Sequence, residues 1–386
     1  MTQVRVNRKA AERVASGHLW IFSSDVLDAA GALPGAVVKV VDPSGHALGV
    51  AHFSSTSQIA LRLLSHRVEE IDRAFFARRI ENAERFRRRV VTGTNAYRVV
   101  HGEGDLLPAL VVDRYADYLA VQTLNQGMDA AREWIIASLI EIFAPRGIVL
   151  RNDVAVRAKE SLPLESAVVH GEAPECVEIR MNGLRMQADL LRGQKTAIYL
   201  DQRENYQAAT RYAHGAALDC FTSTGGFALH LASVCESVQA VDSSAPALAA
   251  AARNAALNGI ANIEFREADV FDLLTSYSSA RRQFSTVILD PPAFAKSRRS
   301  LDGAIRGYKD INLRALRLLG PGGILVTCSC SHHLSEADLL QLTAEAALDA
   351  GRQLRVLERR TQSQDHPILL TVPETHYLKC LILEVL

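Results

Sequence analysis

From about residue 191 the chain alternates short apolar runs with longer amphipathic stretches, and this rhythm limits the fold more than any other feature. The spacing predicts strands at 216–221, 237–242, 263–269, 285–290, 323–329 and 377–386, with helices at 226–235, 246–258, 305–319 and 335–350. Strands separated by whole helices cannot pair as hairpins, so crossovers must join them. The expected class is α/β: a parallel sheet with helices on both faces, and ligands at the carboxyl ends of its strands.

The first half reads differently. Val37-Val-Lys-Val-Val-Asp42 and Ala47-Leu-Gly-Val-Ala-His-Phe53 predict two strands joined by the turn Pro43-Ser-Gly45, and 58–64 a third, which makes the start of the chain a small β-rich unit. Residues 70–90 read as a charged amphipathic helix. Beyond it, strands at 97–101, 109–113, 118–123 and 147–151 and a helix at 128–143 make an α+β unit. Two strands near 177–189 flank Asn182-Gly183, which favours a tight hairpin.

Composition removes several classes. Forty-three basic residues balance 43 acidic ones, so the protein is not basic throughout. No apolar run is long enough to cross a bilayer, and the polar N-terminus lacks the core of a secretory signal. Six scattered cysteines fit neither a disulfide framework nor a CxxC metal site, so a cytoplasmic protein with reduced thiols, no membrane and no metal is expected. One local patch stands out: Arg78, Arg79, Arg85, Arg87, Arg88 and Arg89. With Glu81 and Glu84 at helical spacing it reads on charge alone as a solvated face. The sharper reading is phosphate contact, which the planar fork of arginine suits.

Chemistry concentrates at the predicted strand ends. In Asp219-Cys-Phe-Thr-Ser-Thr-Gly-Gly-Phe227, Gly225 and Gly226 permit a sharp turn and a close ligand, but the loop is not G-x-G-x-x-G and so does not ask for a pyrophosphate. Asp242 ends the next strand, where a carboxylate can accept both ribose hydroxyls; Asp269 ends the third, within reach of an adenine amino group. Gly-Gly, Asp and Asp on consecutive strands describe an adenosine cofactor without a diphosphate, which is S-adenosylmethionine. At the fourth strand end, Asp290-Pro-Pro-Ala-Phe294 is stiffened by Pro291 and Pro292, either as a rigid exit or as a platform for a flat ring, with Phe294 close behind. Thr327-Cys-Ser-Cys-Ser331 ends the fifth. Buried cysteines are usually small hydrophobes, but a thiolate here could add to carbon 6 of a pyrimidine and make carbon 5 nucleophilic.

With those residues read, the whole length resembles the RlmI-type family of ribosomal large-subunit RNA cytosine-C5 methyltransferases. The resemblance is carried by His18-Leu-Trp-Ile-Phe22, Leu107-Pro108, Val112-Asp-Arg-Tyr115, Gly193-Gln-Lys-Thr196, Tyr199-Leu-Asp-Gln-Arg203, Asp290-Pro-Pro292, Arg306-Gly-Tyr-Lys-Asp-Ile-Asn312, Ser329-Cys-Ser331, Asp365-His-Pro367 and Tyr377-Leu-Lys379. It implies a PUA RNA-binding domain over 1–73, an arginine-rich connecting helix over 74–94, a central α+β domain over 95–182 and a class I, Rossmann-like methyltransferase domain over 183–386. It implies Cys330, rather than Cys328, as the nucleophile. A pocket for S-adenosylmethionine would be formed by Gln202, Phe221, Gly225, Gly226, Asp242, Asp269 and Asp290, and Asp290, Pro291, Pro292 and Phe294 would form the loop that meets the base. The partner is RNA, expected to be 23S rRNA, contacted by Arg78, Arg85, Arg87, Arg88 and Arg89. The chain's own oligomeric state stays open, a homodimer included. Leu106 and Ala109 stand where the family usually has glycines, and Ser223 where an aromatic commonly precedes Thr-Gly-Gly. A related branch methylates guanine nitrogen with the same Asp-Pro-Pro loop but no fifth-strand cysteine. A PUA-type RNA-binding protein with a degenerate transferase domain is the other alternative.

Overall fold

A computed structural model describes residues 1–193, 195–294 and 301–386; Gln194, within the family-like stretch 193–196, lies outside the described residues. The chain divides into two units. One comprises Met1–Ile179, Ala188–Ile198 and Gln364–Thr375, the other Arg180–Gln187, Tyr199–Ser363 and His376–Leu386. No described helix is long and apolar enough to cross a membrane.

The first unit holds two sheets. Strands β1 (Gln3–Val6), β2 (Trp20–Phe22), β3 (Val26–Asp28), β4 (Val37–Val41), β5 (Ala47–Phe53) and β6 (Ile59–Ser65), with α1 (Arg8–Ala15) after β1, form a six-stranded sheet in the order β2-β6-β5-β4-β1-β3. Val38 and Val40 alternate inward along β4 and meet Val4, Val6, Leu61 and Leu63, so period-two burial fixes the register. The short strands β1 to β3 carry too few residues for that alternation to be read from sequence. Helix α2 (Arg73–Val90) starts at Asp72, whose side chain accepts from Phe75 N at 2.8 Å. It is followed by β7 (Ala96–His101), β8 (Leu110–Tyr115), β9 (Tyr118–Thr123), α3 (Gln126–Ala130), α4 (Arg132–Phe143), β10 (Gly147–Arg151) and β11 (Ser166–Gly171), whose sheet runs β11-β10-β9-β8-β7. The helix expected over 128–143 is thus two, parted at Ala131. Leu106 and Ala109 both take left-handed backbone, φ 57° and 66°, which glycine adopts without strain and other residues at a cost of roughly 1 kcal/mol. The backbone therefore explains the glycines usual there. β12 (Val177–Met181) and β13 (Leu184–Ala188) form the expected hairpin, with positive φ at Asn182 and Gly183.

The second unit takes in residues 180–187 of that hairpin and is built on a seven-stranded sheet. Its elements are α5 (Arg203–Ala209), β14 (Ala216–Cys220), α6 (Gly226–Leu231), β15 (Ser237–Asp242), α7 (Ala245–Leu257), β16 (Ile263–Glu267), α8 (Val270–Ser279), β17 (Phe284–Leu289), α9 (Leu301–Arg317), β18 (Leu319–Ser329), α10 (Glu336–Asp349), β19 (Leu354–Thr361) and β20 (Lys379–Val385). The order is β16-β15-β14-β17-β18-β20-β19. Strands β14 to β18 are parallel, as the crossovers require, but β20 runs antiparallel to both β18 and β19. The all-parallel expectation is corrected at that edge. Its core packs Leu218, Val287, Leu289, Leu325, Leu381 and Leu383 against Tyr308 and Ile311 of α9 and Leu339 and Leu342 of α10.

Candidate functional site

The expected site residues of the second unit gather around the ends of β14, β15, β17 and β18. Leaving β14, the backbone takes positive φ at Phe221 (65°), Ser223 (50°) and Gly225 (89°). Gly226 follows at the start of α6, where a Cβ would overlap the Tyr206 ring, so a side chain is excluded by packing and not only by the turn. Asp242, at the end of β15, ties this loop down: Oδ2 accepts from Ser223 N and Oδ1 from Ser244 N, both at 2.9 Å. Two motifs 19 residues apart are thereby one structure.

Beneath the loop lies Asp219, a residue to which sequence reasoning gave no role. Its Oδ2 accepts from Thr222 Oγ1 at 2.6 Å and Ala228 N at 2.9 Å, and its Oδ1 has no partner among the described residues. Burial pushes this carboxyl up to about 7, with Asp290 and Asp242 adding to the rise against the two hydrogen bonds. The unmatched Oδ1 and the buried, unmatched Oγ of Ser223 are acceptors a polar ligand would satisfy. Asp269 stands differently from expectation. β16 stops at Glu267, and Asp269 is the exposed N-cap of α8, its Oδ1 accepting from Phe271 N at 2.8 Å and Asp272 N at 3.1 Å.

Asp290 follows β17 directly, half-buried, and its Oδ1 accepts from Gln202 Nε2 at 3.0 Å. Gln202 is buried, accepts from Asn205 Nδ2 at 2.7 Å and bonds the Cys328 thiol. Pro291 is buried and Pro292 exposed. Phe294 lies in an aromatic row, its ring centroid 5.8 Å from that of Phe271 and 4.6 Å from that of Tyr308.

The two cysteines part company at the end of β18. Cys328 lies within the strand, wholly buried opposite Cys380, and burial holds its thiol well above the ordinary value. Cys330 falls one residue past the strand and is half-buried. Its neighbours are gripped from two directions. Tyr308 Oη accepts from Ser329 Oγ at 3.0 Å and pairs with Ser331 Oγ at 3.1 Å, while Lys379 Nζ of β20 donates to Ser331 O at 2.6 Å and Tyr377 O at 2.8 Å. Tyr199 feels, after burial itself, the charges of Asp290, Asp201, Cys330 and Asp242, which keep its phenol protonated. Tyr199, Tyr308 and Lys379 were not singled out from sequence, although each lies in a family-like stretch. Among the described residues no group of three or more potential ligands could hold a metal.

In the first unit the arginines of α2 separate into two kinds. Arg78, Arg85, Arg88 and Arg89 are exposed, with Arg78 ion-paired to Glu69 at 3.3 Å and Arg88 to Glu84 at 3.1 Å. Arg87 corrects the expectation of phosphate contact. It is 1% exposed, grips both carboxylate oxygens of Asp105, and donates to Arg98 O and Asp365 O at 2.8 Å each. No donor of Arg87 faces solvent, because the helix turns this position into its core side with Phe76, Ile80 and Ala83.

Comparison with known proteins agrees with this architecture. A PUA-like domain family matches residues 4–66, and the S-adenosylmethionine-dependent methyltransferase family matches residues 147–382. Curated relatives named ribosomal RNA large subunit methyltransferase I include that of Shewanella amazonensis, 44% identical over 378 residues, and that of Shewanella denitrificans, 42% identical over 379, each match covering 95% of both chains. Among solved structures, a protein assigned as a SAM-dependent methyltransferase from Streptococcus mutans superposes with a TM-score of 0.86 at 21% identity over 100% of both chains. A SAM-dependent methyltransferase from Agrobacterium tumefaciens superposes at 0.54 and 15% identity, covering 76% of this chain and 91% of its own. S-adenosylmethionine is the cofactor, and the acceptors at the ends of β14 and β15 fit its adenosine and amino groups. With a PUA-like domain ahead of it, the chain belongs to the S-adenosylmethionine-dependent methyltransferases, in the family of the ribosomal RNA large subunit methyltransferase I proteins.

Proposed function

We propose that this protein methylates carbon 5 of a cytosine in 23S ribosomal RNA, through a covalent bond between Cys330 Sγ and carbon 6 of the base. The reading rests on Cys330: half-exposed, one residue beyond β18, and sharing Tyr199 as a neighbour with Asp290 and Asp242. Cys328 is sealed inside the sheet with a thiol that burial keeps protonated, so it is a packing residue.

The chemistry divides among the residues as follows. Phe221, Gly225, Gly226, Asp242 and Gln202 hold the cofactor, with Asp242 accepting from the ribose hydroxyls, and Asp269 offers its free Oδ2 to the adenine edge. The cofactor supplies an electrophilic methyl on a sulfonium, which becomes a neutral thioether when the methyl leaves. Asp290, steered by Gln202, accepts a hydrogen bond from the exocyclic amine of the base, and Pro291, Pro292 and Phe294 present the ring. The Cys330 thiolate adds to carbon 6, forming the C–S bond and moving the C5–C6 electron pair onto carbon 5, which takes the methyl. A base, solvent included, then removes the carbon-5 proton; the returning pair restores the double bond and expels the thiolate.

The N-terminal domain, assigned to 1–73, and Arg78, Arg85, Arg88 and Arg89 of the 74–94 helix supply RNA affinity through phosphates; the central domain takes 95–182 and the transferase 183–386. The curated relatives' names support ribosomal RNA as the substrate, and the cytoplasm as the compartment follows from that.

The test is covalent trapping on 23S rRNA transcribed with 5-fluorocytidine, whose fluorine cannot leave as a proton. Wild type and Cys328→Ala should form an adduct that survives denaturing electrophoresis, and Cys330→Ala should not. An adduct that depends on Cys328 would reassign the nucleophile, and no adduct at all would indicate methylation of nitrogen.

A further inference from the structure

We propose that Lys379 is the cation that holds Cys330 as a thiolate, a positioning residue that keeps its own proton throughout. The proposal rests on the reading of Cys330 as the nucleophile, and it adds a residue to which the catalytic scheme above gives no part.

The geometry is set by the sheet. β20 lies antiparallel against β18 with Lys379 directly opposite Ser329, the last residue before Cys330. The side chain is 3% exposed, and Nζ spends two of its three donors on the carbonyls of Ser331 and Tyr377. One of those carbonyls belongs to the residue following Cys330, so the ammonium is anchored to the same turn that carries the thiol.

A buried ammonium needs an opposing charge, and two backbone dipoles do not supply one. Among the described residues no carboxylate stands at ion-pair distance from Nζ. The ionisable groups that act on it are Cys330 from the end of β18 and Asp338 from α10, while β19 meets it with neutral Thr361. Burial pulls the ammonium down to about 8, with Cys330 and Asp338 opposing that fall. Among the other groups near the thiol, Tyr199 and Tyr308 are phenols that burial keeps protonated. Asp290 and Asp242, which share Tyr199 as a neighbour with Cys330, are carboxylates that oppose its ionisation and so leave the favourable charge to Lys379. Below about pH 8, then, Lys379 is charged, and the thiol is the nearby group whose ionisation it favours. The same attraction makes the sulfur a better leaving group when carbon 6 releases it, since a stabilised thiolate departs more readily.

The measurement is the rate of iodoacetamide alkylation at Cys330, followed peptide by peptide in the full-length protein as pH is varied, so that the exposed Cys176 does not interfere. Replacing Lys379 with Met should raise the midpoint by about one unit or more, the shift expected for losing an opposite charge at close range. Lys379→Arg should keep it near wild type. Lys379→Gln retains a donor for Ser331 O without charge; its midpoint must rise too, and it serves should the Met protein not fold. A structural role alone would alter accessibility, and hence the plateau rate, without moving the midpoint. An unmoved midpoint in the uncharged variants, or an Arg variant that behaves like them, overturns the proposal. The trapped-adduct assay keeps the two claims apart: a shifted midpoint without any wild-type adduct leaves the Lys379–Cys330 pairing standing and removes Cys330 from the chemistry.

Discussion

Replacing Asp219 with Asn should stabilise the sheet of the second unit at alkaline pH and leave it nearly unchanged in acid. The carboxyl titrates near 3.8 when unfolded and near 7 when buried under the Gly-Gly loop. The folded state thus binds more protons than the unfolded state between those values, and stability falls as pH rises through that window. The displacement corresponds to an upper bound of about 4 kcal/mol by pH 8. Asn keeps the oxygen that accepts from Thr222 and Ala228, so the variant loses the ionisation and little else. Fluorescence of Trp20 and Trp134 does not isolate the effect, because both lie in the other unit. Hydrogen exchange of peptides covering β14 and β17, compared between wild type and variant at each pH from 5 to 8, reads it directly. His52 and His230, pushed down by burial to about 3 and about 4, give an opposite slope that is common to both proteins and cancels in the difference. A wild-type-minus-variant difference that is flat with pH, or a variant less protected at pH 8, would refute the argument.

Asp242→Ala should weaken S-adenosylmethionine binding at least tenfold by titration calorimetry, since hydrogen bonds to a charged acceptor contribute about 1.5–3 kcal/mol each; unchanged affinity would move the pocket elsewhere. Exchanging Arg85, Arg88 and Arg89 for Gln should flatten the salt dependence of RNA binding by roughly 0.7–0.9 in log–log slope for each phosphate no longer neutralised, and an unaltered slope would return α2 to a merely solvated face. Arg87→Met should behave oppositely, sparing the slope and costing about 3–5 kcal/mol of stability, because Asp105 is left buried without its partner. Tryptophan fluorescence reports that destabilisation, both indoles lying in the same unit as Arg87.

The parts of the site that were legible in the sequence are those whose signal is local. Gly225-Gly226, Asp242, Asp290-Pro-Pro292 and the pair Cys328 and Cys330 each stand at the end of a predicted strand, where the turn or strand exit is written in the residues themselves. The choice of Cys330 over Cys328 came only with the family resemblance. The end of the third strand was read two residues too late, because an Asp before an apolar run is also a helix N-cap, and α8 begins at Asp269. β19 escaped because Leu354-Arg-Val-Leu-Glu-Arg-Arg-Thr361 is an edge strand, wetted enough to blur alternation. Arg87 looked like its neighbours because a charge run carries no sign of which position a helix turns inward. Tyr308 and Lys379 reach the turn that carries Cys330 from 22 and 49 residues away, and no window of sequence spans that.

The place of β20 in the sheet bears on how the chain emerges from the ribosome. β19 is synthesised before β20, yet among the described residues β20 is the one sheet neighbour of β19 and separates it from β18. Until Lys379–Val385 has been made, β19 has nothing to pair with and β18 presents an open hydrogen-bonding edge of mostly buried, apolar residues. A nascent chain halted between β19 and β20 would carry a formed Gly-Gly loop and Asp-Pro-Pro turn beside that sticky border, with the Ser331 carbonyl not yet anchored by Lys379. Chaperone dependence and aggregation during synthesis should therefore peak over those few residues, and catalytic competence should arrive abruptly with the strand that closes the gap.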